Sequence, residues 1–310
     1  MADILKPLKK CIDTIDALQR RHPALALPYA IIKKYGDDRG GQQAALITYY
    51  GFMSLFPLLI VATSAIQIVT QNNEQLRDKF LANATSYFPV LGQSLADSIN
   101  TPSRSSIALT IGLIITLYGA RGVAMAIQDA QNHVWAITRP ERAGFPKSLV
   151  KGFGIIFWGG LGFMLAASLT GYAAGASHPW ILRLFLGLGG FSMLFAVFWG
   201  VFTFGSSARK HPLANVPGAV FAAVGLLILQ ALSGYLIAHQ LRSQTGLNAQ
   251  FAVVLALLFW LYLQAQVFVY AVELNTVRKY KLWPRSVTGK PTPADETAYE
   301  LYKQRETFVL

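Results

Sequence analysis

The stretch FAVVLALLFWLYLQAQVFVYAVE, residues 251–273, names the solvent in which this chain folds. From Phe251 to Ala271 it holds no charged residue, and it ends at Glu273 beside a basic tail. A helix rises 1.5 Å per residue, so about 20 apolar residues cross the ~30 Å hydrocarbon core of a bilayer. The stretch reads as a membrane-spanning helix. Similar runs recur toward the N-terminus, and the sequence predicts six such helices at about 44–70, 106–128, 149–173, 181–204, 217–238 and 250–273. The expected fold class is all-α: a polytopic membrane protein with six transmembrane helices in one bundle.

Composition agrees with that solvent. Hydrophobic residues make up 53% of the chain and charged residues 14%, against roughly 25% charged in soluble proteins. Mean hydropathy is +0.40. A single cysteine, Cys11, excludes an intramolecular disulfide and a cysteine-built zinc site. The first 30 residues contain Lys and Arg but no apolar core followed by a small-residue cleavage site, so no signal peptide is read there.

The net charge of +12 would by itself suggest nucleic acid, but its placement argues for topology. Residues 1–43 hold eight Lys/Arg, 131–151 four, 205–216 two and the tail from 274 seven, while the alternating connectors 71–105, 173–180 and 239–249 hold three, none and one. This is the positive-inside pattern with both termini cytoplasmic. The surplus charge is expected to grip anionic lipid on that side, with no nucleic-acid partner. Three segments follow: a cytoplasmic amphipathic segment over 1–43, the transmembrane domain over 44–273 and a cytoplasmic tail over 274–310.

Ile4, Leu5, Leu8, Ile12, Ile15 and Leu18 recur at helical spacing, so residues 4–18 are expected to form an interfacial helix. Apolar residues in 71–105 suggest short helices in the outer loop. Pro284, Pro291 and Pro293 break the tail, and 284–310 reads as a mobile extension with a short helix near 295–306. Gly112, Gly119, Gly122, Gly152, Gly159 and Gly162 let helices approach closely. The many small residues also admit a homodimer.

Polar groups within the spans are the candidate site. Arg121 and Asp129 lie eight positions apart in the second span, and Glu273 and Asn275 close the last. Topology puts all of them in one leaflet. A buried arginine needs acceptors, so Arg121 with Asp129 or Glu273 is either an interhelical clamp or part of a polar path. Tyr49, Tyr50 and Ser54 in the first span and Gln264 in the last either line a narrow cavity or bond between helices. Pro57 is expected to bend the first span.

Chemistry is not signalled. The five histidines never form a short-spaced pair, and there is no phosphate loop, GxSxG elbow or HExxH motif. Asp37 and Asp38 are adjacent, but Arg39 and two glycines beside them point to a turn rather than a metal site. No cofactor and no catalytic residue is read.

Three stretches carry a resemblance. ALITYYGFMSLFPLL (45–59), LYGARGVAMAIQDAQNHVW (117–135) and FWLYLQAQVFVYAVELN (259–275) are similar to the signatures of the YihY/BrkB membrane family. The resemblance implies a six-helix bacterial inner-membrane protein with both ends cytoplasmic, and it carries over Tyr49, Tyr50, Ser54, Pro57, Arg121, Gly122, Glu273 and Asn275. Family members have been labelled tRNA-processing ribonucleases. That label fits poorly, because phosphodiester hydrolysis calls for clustered metal ligands or a poised acid/base pair. The leading expectation is transport or export of a small polar, anionic or lipidic solute. The alternative is a noncatalytic membrane scaffold or envelope-integrity factor.

Overall fold

The computed structural model describes residues 23–70, 75, 106–173, 179–208, 211–241, 247–287 and 291–306. Among them stand eight α-helices: α1 (Pro23–Asp37), α2 (Gly40–Thr70), α3 (Ser106–Val134), α4 (Lys147–Ala173), α5 (Trp180–Gly205), α6 (Val216–Leu241), α7 (Leu247–Tyr280) and α8 (Pro293–Glu306). Single 3₁₀ turns at Arg139–Glu141 and Pro212–Asn215 join them.

Four helical stretches among the described residues are long and apolar enough to cross a membrane: Lys147–Thr170, Trp180–Gly205, Pro212–Leu232 and Val254–Tyr280. The expectation of six spans is corrected to four. The first two expected runs do form helices, α2 and α3. Both carry polar side chains toward one end: Gln42, Gln43 and Thr48 on α2, and Arg121, Gln128, Asp129, Gln131, Asn132 and His133 on α3. Over its described side chains, neither helix supplies an apolar stretch of spanning length. The interfacial helix expected over 4–18 and the short helices expected over 71–105 lie outside the described residues, Gln75 apart.

α7 is the central post. It packs on α6, α2, α1 and α3, while α2 pairs with α3 and α4 with α5. The α2–α3 pair closes tightly because Gly122 faces the Tyr50 ring, which a Cβ would strike, and Gly119 faces Ser54. Phe202 and Phe268 meet at 5.2 Å between ring centres in the main core, among Val134, Trp135, Val201, Val269 and Val272.

The tail, expected to be mobile, is instead docked over its described helix. α8 lays Ala298, Leu301 and Tyr302 against Ala30 of α1, Val277 of α7 and Leu282. Its start is a capping box: Thr292 Oγ1 accepts from the Asp295 amide at 3.2 Å, and Asp295 Oδ2 accepts from the Thr292 amide at 3.0 Å. Pro293 occupies the first helical position, where its missing donor costs nothing.

Candidate functional site

Four helices that are distant in sequence meet at one end of the bundle around a buried set of charges. α1 reverses direction there: the Asp38 amide donates to the Lys34 carbonyl, and Arg39 takes a left-handed φ of 52° before α2 begins. That turn folds Asp38 back beside Lys34, one helical turn earlier, and both are about 1% exposed. The Lys34 ammonium has three donors and three acceptors: Asp38 Oδ2, Glu273 Oε2 at 2.9 Å and the Val134 carbonyl at 3.1 Å. Arg305 of α8 closes the set from outside, at 2.8 Å from Asp38 Oδ1. His133 Nε2 lies 3.0 Å from the Asp38 carbonyl and 3.1 Å from Arg305 Nη1.

The electrostatics follow from this geometry. Burial alone would lower the Lys34 pKa, but the Glu273 and Asp38 carboxylates outweigh it and hold it above the ordinary lysine range. Burial, followed by the facing Asp38, pushes the Tyr302 phenol up as well. Glu273 is fully buried, and among the described residues its Oε1 has no hydrogen-bond partner.

A second layer of charge adjoins the first. Arg285 reaches Asp37 at 3.0 Å and Asp295 at 2.6 Å, Lys33 meets Asp295 at 3.0 Å, and Tyr302 donates to Asp37 at 3.1 Å. Burial would raise the Asp295 carboxyl, but donation from the Thr292 and Ser286 amides and from Arg285 holds it well below the usual carboxylate range.

The residues singled out from sequence are placed as follows. Glu273 is buried with Lys34 as its partner, and Asp129 is exposed with Arg142 at 3.5 Å, so neither carboxylate pairs with Arg121. Arg121 is exposed and lines a narrow recess between α3 and α4 with Met125, Leu149 and Phe153. Asn275 is buried, and its Oδ1 accepts from the Gly218 amide at 2.7 Å, capping the first turn of α6. Ser54 donates to the Gly51 carbonyl. Tyr49 and Tyr50 stack edge-on at 5.3 Å and are exposed. Gln264 is half-buried on α7, and α2 runs unbroken through position 57.

Sequence reading missed Lys34, Asp38, His133 and Arg305. The available signal was the i, i+4 spacing of Lys34 and Asp38, together with a glutamate in an apolar run that required a cation from elsewhere. Among the described residues, no group of three or more His, Cys, Asp or Glu side chains could hold a metal ion.

A crevice of about 290 Å³ opens where α2, α3, α4, α5 and α7 meet, lined by Ser54, Val123, Ile127, Ile156, Phe198 and Phe268 among others. Phe268 stands five residues before Glu273 on α7, about 7.5 Å along the helix. The charge cluster therefore closes the bundle roughly one to two turns beyond the crevice.

A family model described as Virulence factor BrkB matches residues 31–296. Inner membrane protein YhjD of Escherichia coli (strain K12) is 24% identical over 318 residues, covering 94% of this chain and 91% of that protein. A UPF0761 membrane protein of Psychrobacter sp. (strain PRwf-1) is 26% identical over 260 residues, 79% of this chain and 47% of the relative. The ribonuclease-like protein YfkH of Bacillus subtilis (strain 168) is 24% identical over 267 residues, 80% of this chain and 93% of its own length. No solved structure matches.

Proposed function

The chain belongs to the BrkB family of membrane proteins, and on that premise we propose that it is a multi-pass inner-membrane transporter or exporter of a small anionic or lipidic solute. The observation that carries this reading is the crevice at the junction of five helices, with the charge cluster closing the bundle beyond it. Its walls are mostly apolar, which suits the body of an amphipathic solute. Arg121 lies in the adjoining recess, which shares Ile156 with the crevice, and supplies a cation for an anionic group. In this reading the charged end faces the cytoplasm, as the basic connectors imply. Moving a solute past it requires the Lys34–Glu273 contact to open. No catalytic step is part of the proposal.

The test uses the purified full chain in phospholipid vesicles, with fluorescently tagged phosphatidylglycerol and entrapped carboxyfluorescein as probes. At least one probe should cross faster than in protein-free vesicles, and Arg121→Leu should slow it while leaving folded protein in the membrane. Equal rates with and without protein for both probes, or an unimpaired Arg121→Leu variant, would overturn the reading and favour a noncatalytic scaffold.

A further inference from the structure

A second cavity, of about 500 Å³, lies between α4 and α5 on the outer surface of the bundle. Ile155 and Val201 line both it and the central crevice, so they form the wall between the two. Its outer walls are exposed: Val150, Phe157 and Phe204 are 71%, 71% and 62% accessible, which opens the groove toward lipid. Its lining runs along α4 from Val150 to Trp158, eight residues or about 12 Å. That length is most of one leaflet, half of a ~30 Å core.

The groove is built by specific residues. The Trp158 indole donates to the Ala196 carbonyl at 3.3 Å, and it fits there because Gly200 has no Cβ to strike it. Gly154 leaves the floor open, since nothing lies within 4 Å of where its Cβ would be. Lys151 stands near the start of α4, at the end of the groove closest to the interface. Among the described residues, its only hydrogen bond is to the Ser206 carbonyl at 3.4 Å. It forms no ion pair among the described residues, and no carboxylate lines the groove.

The geometry points to a binding site for one anionic membrane phospholipid, with its phosphate on Lys151 and an acyl chain lying between Gly154, Trp158 and Phe204. Charge complementarity and length select this occupant. An unpaired ammonium at headgroup depth attracts an anionic headgroup, and basic recesses between transmembrane helices hold such lipids. The apolar trough below it runs in the direction an acyl chain takes. Occupancy stands independently of solute transport through the central crevice.

Brominated acyl chains quench nearby tryptophan fluorescence, so Trp158 reports on the site. The full chain is reconstituted with brominated phosphatidylglycerol or brominated phosphatidylcholine, and the Trp158 contribution is taken as the difference from Trp158→Phe. Phosphatidylglycerol should quench it at about fivefold lower mole fraction, the preference one basic residue near the surface supplies. Lys151→Gln should abolish that preference, and Lys151→Arg should keep it. Gly154→Leu should fill the trough and remove the Trp158 component with both lipids. Equal quenching by both lipids in the wild type, or an unchanged preference in Lys151→Gln, overturns the proposal. So does unquenched Trp158 combined with loss of a dimer in Gly154→Leu, which would make a second copy the occupant.

Discussion

Lys34→Met removes the one cation that two buried carboxylates share and keeps a side chain of similar length. At 2.9 Å, the Lys34–Glu273 pair is worth about 6 kcal/mol of Coulomb energy at an effective dielectric constant of ~20. Desolvation of the ammonium offsets part of that. Asp38 keeps Arg305, whereas Glu273 is left buried with both oxygens unpartnered. Breaking a buried pair from one side costs about 3–5 kcal/mol. At about 2–4 °C per kcal/mol for chains approaching this size, the expected drop in Tm is about 6–20 °C. The readout is thermal unfolding of the detergent-solubilised chain, followed by circular dichroism at one fixed scan rate. Lys34→Met/Glu273→Leu removes the stranded charge as well and should recover at least half of the loss, because an apolar pair of similar volume is close to neutral there. Either a Lys34→Met variant within a degree of wild type, or a double variant no better than the single, would show that Lys34 does not hold Glu273 in place energetically.

Three further outcomes are expected. Gly218→Ala drives a Cβ into the Ala271 carbonyl, a backbone atom that cannot swing aside, and should cost about 1–3 kcal/mol; Gly187→Ala meets nothing within 4 Å and should gain about 0.5–1 kcal/mol in the same melts. Asn275→Ala uncaps the Gly218 amide and should cost about 1–2 kcal/mol, with hydrogen exchange rising first at the N-terminal turn of α6. Asp295 has a depressed pKa in the folded chain, so its contribution to docking α8 is complete above the ordinary carboxylate value of ~3.9 and is lost as pH falls through the depressed one. Hydrogen exchange across 293–306, corrected for intrinsic rate, should therefore rise on acidification, and Asp295→Asn should show that rise already at neutral pH.

The helical, membrane-embedded character was legible because long uncharged runs admit one solvent. The identity of the Glu273 partner was not. Placing Arg121 and Glu273 in one leaflet fixes depth along the bundle normal but says nothing about azimuth, and Arg121 lines a recess between α3 and α4. The partner came from Lys34, in a segment whose charges had been assigned to topology. Asp38 was read as part of a turn, and Arg39 does make that turn; the reversal is also what buries the Asp38 side chain. The docked tail had a readable signal in Thr292-Pro293-Ala294-Asp295, a capping box with proline at the first helical position. The short helix expected near 295–306 does form there; its docking was not legible, because Ala298, Leu301 and Tyr302 do not by themselves name the α1 and α7 residues they meet.

Charge at this end of the molecule is matched in two layers. One sets Lys34 and Arg305 against Asp38 and Glu273, and the other sets Lys33 and Arg285 against Asp37 and Asp295. Each layer is neutral on its own, although the chain as a whole carries +12. An unmatched charge inside would cost several kcal/mol, so the fold accepts cations there only in company with carboxylates. Among the described residues, Arg121 and Lys151 stand unmatched where solvent or lipid can reach them, and form a second class. Removing a matched charge strikes at stability, as Lys34→Met is expected to. Removing an unmatched one should leave the fold standing and change only what the surface attracts. Melting and ligand response should therefore separate the two classes residue by residue.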